Sequence, residues 1–464
     1  IRQIGEDIIL GDLILTRNHQ IRSIDLGAML SGGVTDIECY KQPVAGIIPT
    51  GNEIVTSKDG IETGEIIDSN SSMLKGLVED NGGQGNIYNP VADEYDTLKV
   101  AVKSAAAEND VLIINAGSSA GTKDYTVHVI EELGQVVVHG VAIKPGKPTI
   151  LGVIDSKPVI GIPGYPVSAY FAFDHFVKPI INGLSGRVAN KSQLVEGSLS
   201  KRIVSSFKHE EKVRVTLGYV NSQLIATPLD RGAGVTMSLV KADGIITIPK
   251  TVEGVEVGEK VQIQLLKDIG LIKDTLLSIG SHDLMMDIIS DKTKLASGHV
   301  GSLGGIMALR RGECHIAPIH LLDSATGEYN ISFIKRYFKG KEMVLLKGVK
   351  RLQGFMVQKG NPMNVKTFKD LTDDKIRYVN RQPGAGTRML LDYYLNKENI
   401  ETKHINGYVR ELTTHLAVAI SIKEDTADAG LGVQSAATAM DLEFVPVAFE
   451  EYDFLMEAEM LEDK

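Results

Sequence analysis

The sequence predicts an α/β protein built in successive units. An open, mostly parallel sheet domain comes first, a small β domain follows, and an α/β region runs to the end. Three observations carry this. Strand-like and helix-like segments alternate over residues 44–182, short strands with turn signals fill about 190–266, and the alternation resumes from about 270.

The elements can be taken in order. "VAGIIP" (44–49) reads as a short buried strand, and "SSMLKGLVEDNG" (71–82) as an amphipathic helix ended by glycine. "TLKVAVKSAAAEN" is a second helix, "DVLIINAG" a strand and "YTVHVIEELG" a helix. "KPVIGIPG" is a further strand and "PVSAYFAFDHFVKPIING" the helix after it. Repeated βα units imply parallel strands with helices on both faces. "KVRVTLGYVNSQLIATPL", "GIITIP" and "EKVQIQLL" form the β domain. Beyond it lie "TLLSIGSHDLMMDII", "CHIAPIH", "IRYVNRQPGAGTRMLLDYYL" and "TADAGLGVQSAATAM".

The totals bound the function. A chain of 464 residues exceeds one core and implies two to four domains. The net charge of −10 argues against a nucleic-acid or anionic-membrane partner, so an anion site has to be local. Cys39 and Cys314 form no metal-ligand or redox spacing, which suits a reducing cytosol. The longest uncharged apolar run, "PVIGIPGYPVSAYFAF", contains three prolines and does not read as a membrane span. A cytoplasmic protein acting on small molecules is expected.

Ligands bind open parallel sheets at the carboxyl ends of the strands. Four unusual loops fall there. They are Thr50-Gly51-Asn52-Glu53, then Asp68-Ser69-Asn70, then the glycine-rich 116–124 with Gly117, Ser118, Ser119, Gly121 and Asp124, and finally Pro163-Gly164 leading to Ser168. Glycines let backbone N–H groups approach phosphates, and helix N-termini add positive potential. Glu53, Asp68 and Asp124 would repel a phosphate unless a cation such as Mg²⁺ lay between. Taken alone, Asp68 reads more readily as an N-cap, and Glu53 and Asp124 as solvated turn residues; the metal reading rests on their falling at one edge of one sheet. In "VAIKPGKPTILG", Lys144 and Lys147 flank a stiff Pro-Gly turn. Two neighbouring ammonium groups suit an anion held beside them, although a plain surface hairpin would look the same.

These stretches, in this order, resemble the molybdopterin molybdenumtransferase (MoeA-like) family. They are "TGNE", "IIDSNSSML", "NAGSSAGTKDY", "KPGKP" and "GIPGYPVSA", with "VKADGIITIP" and "EGVEVGEKVQIQLL" resembling the family's C-terminal β domain. The resemblance covers about 1–266. It implies insertion of molybdate, or the nearly isosteric tungstate, into adenylated molybdopterin with Mg²⁺ and release of AMP, by a homodimer. Carried over by motif, Asp124, Lys144, Lys147 and Glu53 are catalytic, and Glu53, Asp68 and Asp124 hold the metal. Thr50, Gly51, Asp68, Asn70, Gly117, Ser118, Ser119, Gly121, Pro163, Gly164 and Ser168 line the substrate. The glycine loop departs from the usual Gly-Gly opening with Ala116-Gly117. The chain starts at what resembles the tail of the family's N-terminal region, so poor insertion by these residues alone is expected.

Residues 270–464 resemble the periplasmic-binding-protein-like domain fused to some members, with two α/β lobes and a ligand cleft at helix N-termini. Ser281, Ser302, Gly384, Gly386, Thr387, Arg388 and Thr414 are its candidate oxyanion residues, with Asp428 as a further contributor. Plain N-capping is the alternative for the serines. The resulting division is 1–42 remnant, 43–188 molybdopterin-binding-like domain, 189–267 small β-barrel-like domain and 270–464 binding-protein-like domain. A regulatory protein sensing molybdate or tungstate, with a degenerate transferase part, is the alternative reading.

Overall fold

The computed structural model describes residues 6–116, 125–188, 192–323 and 326–461. The first sheet has six strands in the order Gln84–Ile87, Val44–Pro49, Val111–Ala116, Lys157–Pro163, Ile150–Ile154, Gln135–His139. The first four run parallel and the last two are antiparallel, so the sheet is mostly parallel with a meandering edge. Its central strands are buried on both sides, which explains their uninterrupted apolar runs. Helices Tyr95–Glu108 and Tyr125–Leu133 pack on one face through Leu98, Val102 and Ile130. Asn70–Asp80 and Pro166–Ala172 pack on the other through Leu74, Val78 and Ala169.

Five strands of the middle region close into a barrel. Gln223–Pro228 pairs with both Leu194–Leu199 and Glu210–Val220, while Lys260–Leu265 and Gly244–Ile248 complete the circuit. Closure leaves no free edge among these five. A sixth strand comes from the first domain, because Ile143–Lys144 pairs in parallel with Glu210 and Glu211. The Pro-Gly turn, for which a plain surface hairpin was the alternative, is therefore a crossing. The chain reaches over to the barrel at Lys144 and returns to the first sheet at Ile150.

In the last region, Leu276–Gly280 pairs with Leu295–His299 in one lobe. Tyr378–Arg381, Glu411–Leu412 and Ala429–Val433 form the other. Two strands of 15 residues each, Met343–Val357 and Glu443–Glu457, pair along their length and belong to both lobes. One end of the pair enters a core with Leu277, Ile279 and Leu455, and the other a core with Phe355, Val357 and Leu431. That is the geometry of two lobes joined by a hinge ribbon. Barrel residues Val220 and Ile225 lie in the same core as Leu277 and Ile279, so barrel and first lobe are packed together. No helix is long and apolar enough to cross a membrane among the described residues.

Candidate functional sites

The first candidate site forms where three parallel strands end. Thr50 follows Val44–Pro49, and both its N–H and its hydroxyl donate to the Asn115 carbonyl, at 3.0 and 3.2 Å. Asn70 opens the helix Asn70–Asp80 and donates from Nδ2 to the Gly164 carbonyl at 2.6 Å and to Asn115 Oδ1 at 3.4 Å. Thr50, Asn70, Asn115 and Gly164 are thus tied together across three loops. Asn70 Oδ1 and Ser71 Oγ are buried without a partner among the described residues. Buried polar atoms are normally satisfied, so these two mark a place for ligand or water.

Asp68 accepts from the Ser71 N–H at 3.0 Å through Oδ1, which leaves one carboxylate oxygen beyond its capping role. Glu53 is exposed on the preceding loop, with an oxygen 3.0 Å from where a Cβ on Gly51 would stand. Gly51 has φ +139, so a side chain there would be both strained and obstructed. Gly117, Ser118, Ser119, Gly121 and Asp124 lie outside the described residues. Among the described residues no three Asp, Glu, His or Cys groups gather as a metal site. Glu53 and Asp68 are the two residues of the expected Mg²⁺ set that lie among the described residues.

The lysine turn borders this edge. Gly146, at φ +118, presents its Cα within reach of the Ser168 carbonyl, which a Cβ would approach to 3.7 Å. Ser168 is buried in the first turn of Pro166–Ala172, after Pro163 at the end of its strand. Lys144 and Lys147 are both exposed, and Lys144 Nζ lies 3.8 Å from Glu211, a barrel carboxylate only 4 % exposed. Arg231 makes a close ion pair with the same carboxylate, and the Ala233 carbonyl accepts from the Val167 N–H at 3.0 Å. The barrel thereby sets the paired Glu211 and Arg231 beside the lysine turn. Sequence reasoning missed Asn115, Glu211 and Arg231. Only Asn115 had a local signal, its place just before the glycine loop.

The second candidate site lies between the two lobes. Ser302 accepts from the His320 N–H at 3.0 Å, and Ser281 Oγ sits 2.7 Å from His320 Nε2. His320 Nδ1 is 3.1 Å from Glu450, whose side chain is fully buried. Arg351 approaches the other Glu450 oxygen at 2.5 Å, an ion pair outside hydrogen-bond alignment, and donates to Asp283 at 2.8 Å. Burial alone would raise the Glu450 pKa, but His320 and Arg351 hold it well below the usual carboxylate range. Gly386 opens helix Gly386–Lys397 directly on the imidazole, where a Cβ would stand 2.2 Å from Nδ1. The next residue, Thr387, is buried against Gln353 at 3.2 Å.

Four candidates lie outside this network. Arg388 stacks on Tyr408 at 4.0 Å and pairs with Asp392 and Glu411, because helical geometry turns it away from Gly386. Thr414 caps the helix His415–Lys423 by accepting from the Ala417 N–H at 3.0 Å. Asp428 is held by Arg377 at 2.7 Å. Gly384 is an exposed turn residue at φ +83. The cation that faces the cleft network is Arg381, which sequence reasoning missed. Its Nε and Nη1 are buried without hydrogen-bond partners among the described residues, and burial pushes its pKa down to about 10. The charges acting on it are those of Glu450 and Arg351.

Parts of this sequence are similar to known proteins. Residues 46–183 match the family described as a probable molybdopterin binding domain, 196–266 match the MoeA C-terminal region (domain IV), and 287–464 match the PBP superfamily domain. Along the chain, a region similar to a probable molybdopterin binding domain and one similar to MoeA domain IV are thus followed by a region similar to the PBP superfamily domain. It is 38 % identical over 275 residues to a putative molybdopterin biosynthesis protein of Methanocaldococcus jannaschii, covering 58 % of this chain and 66 % of that protein. It is 31 % identical over 271 residues to the molybdopterin molybdenumtransferase of Bacillus subtilis, covering 58 % and 63 %. A solved MoeA protein from Pyrococcus horikosii is similar at 34 % identity and TM-score 0.49, over 57 % of this chain and 64 % of that one. The chain therefore spans less than two thirds of the length of these relatives.

Proposed function

We propose that the first two domains insert molybdate into adenylated molybdopterin and release AMP, within molybdenum cofactor biosynthesis. The observation that carries this reading is the knot of Thr50, Asn70, Asn115 and Gly164 at three strand ends of the matched domain, with Asn70 Oδ1 and Ser71 Oγ unpartnered. Both reactants are anions, so the protein's work is positioning and charge neutralisation. Lys144 and Lys147 supply positive charge on the barrel side, and Glu211 fixes where Lys144 stands. We further propose the domain division at 42/43, 188/189 and 267/270, action as a homodimer in the cytoplasm, and an oxyanion-binding role for the fused last domain with Arg381 as its anchor. The test is AMP release from adenylated molybdopterin on addition of molybdate, by the complete gene product and by Asn70→Ala. Loss of release in the variant, with unchanged thermal stability, supports the reading; equal release by the two proteins rejects it.

A further inference from the structure

A cavity of about 430 Å³ opens at the seam between the barrel and the first lobe, and it shares no lining residue with either site described above. Its size is that of a small-molecule site. The barrel side contributes Val240 and Lys241, the connecting helix Ile269–Lys273 contributes Leu271, and the lobe contributes Met286 and Lys294.

Charge decides what such a cavity takes. Lys241, Lys267 and Lys294 line it against two carboxylates, Asp243 and Asp287, which leaves a local surplus of positive charge in a chain of net charge −10. Asp243 is buried and already engaged on both oxygens. Oδ2 accepts from the Thr216 hydroxyl and the Leu217 N–H, each at 2.8 Å, and Oδ1 accepts from Lys267 at 2.8 Å. It holds its own lysine and calls for no cation from outside. Lys241 and Lys294 are placed differently. Their ammonium groups stand 3.8 Å from Asp287 and 3.7 Å from Asp274, beyond hydrogen-bond distance, and both side chains are half exposed. Asp287 also has His282 Nε2 at 3.7 Å. Loose, solvated pairs of this kind hold little energy, so an acid group that reaches hydrogen-bond distance improves on them.

The same cavity presents apolar surface. Val240 and Leu271 are more than half exposed there, and Met286 is buried beside them. A hydrocarbon body laid on these side chains removes that surface from water.

We propose that this seam binds an amphipathic organic anion, its acid head on Lys241 and Lys294 and its apolar body against Val240, Leu271 and Met286. A carboxylate and a phosphate monoester on a hydrocarbon body share that chemistry. The lining comes from barrel and lobe alike, so an occupant bridges the two and stabilises their packed state. The site is independent of the reaction proposed above.

The experiment measures calorimetric binding and thermal shift of the full chain near neutral pH with four probes on one ring system: naphthoate, naphthyl phosphate, naphthamide and naphthylmethylammonium. At least one of the two acids should bind and raise the melting temperature, and the tighter of them identifies the head group. Naphthamide should bind at least about tenfold more weakly than that acid, and the ammonium compound should not bind. Lys294→Glu should weaken the acid at least about tenfold, and Leu271→Gln should weaken acid and amide alike. Lys147→Glu, at the first site, should change neither. Should Lys294→Glu fail to fold, Leu271→Gln decides the location. Equal binding of acid and amide, or tighter binding of the ammonium compound, would overturn the anion. Binding untouched by both seam variants would overturn the location, and no binding by any probe would overturn the site.

Discussion

Lys147 sits exposed on a turn whose backbone is already fixed by Val141 N–H donating to the Lys147 carbonyl at 2.8 Å. Its ammonium group adds little to folding, since exposed charges seldom do. Lys147→Ala should therefore change stability by no more than about 0.5 kcal/mol. Under the proposed reaction it should lower AMP release at least about tenfold, the loss expected for one charge-assisted contact. Equal release by variant and parent would remove the lysine from the reaction. His415 provides a second test at this scale. Burial, then the positive charges of Arg381 and Arg351, hold its pKa well below the ordinary 6.5. The fold keeps it neutral, so the unfolded chain takes up the proton first as pH falls. Its contribution to stability is fully present above pH 6.5 and is lost as pH drops below that value. The fall in melting temperature between about pH 7 and 5 should be shallower in His415→Gln than in the parent. An identical slope would show that His415 does not titrate against the cleft cations.

At the level of elements, the N-terminus of Gly386–Lys397 is seated on His320. A methyl group at 386 would stand 2.2 Å from His320 Nδ1 and 2.8 Å from the His320 carbonyl. Alanine is the better helix former, so propensity alone predicts stabilisation by Gly386→Ala. Overpacking predicts a loss of about 1–3 kcal/mol instead, and it should prevail because the obstructing atoms include backbone. Denaturant unfolding decides between the two signs, and anion binding in the cleft should weaken with the loss of stability. The crossing strand Ile143–Lys144 is the corresponding element in the first half. Its two residues carry no strand pattern of their own, so the sequence shows only a stiff turn there. Its pairing with Glu210 and Glu211 depends on where the barrel stands.

At the scale of the molecule, barrel and first lobe form one packed body. Leu277 is fully buried among residues of both, and Gly218 of the barrel lies so close that a Cβ would stand 2.9 Å from Leu277 Cβ. Leu277→Ala should cost about 2–5 kcal/mol through lost contacts and a cavity. Scanning calorimetry should show barrel and lobe melting together, with the variant shifting that joint transition. Two transitions, only one of them shifted, would show that the units fold independently. A fragment cut near residue 270 would strip Val220 and Ile225 from this core, so ligand studies belong on the whole chain.

The sequence by itself determined the order of the units, the buried parallel strands and the loops at their carboxyl ends. Runs such as "VAGIIP" and "DVLIINAG", and the glycines and caps beside them, act within a few residues, and short-range physics can be read from short windows. What it left undecided depended on residues distant in the chain. Lys144 meets Glu211 only because the barrel lies beside the first sheet, and Arg351 meets Glu450 only through the pairing of two long strands. Those strands are half exposed and broken by charges, so their periodicity is faint. Arg388 beside the glycines of "PGAGTR" looked like the cleft cation, and the helix turned it outward while the preceding strand placed Arg381 inward. Which ion faces a cleft depends on the direction of a side chain in three dimensions, and composition and spacing do not carry that direction.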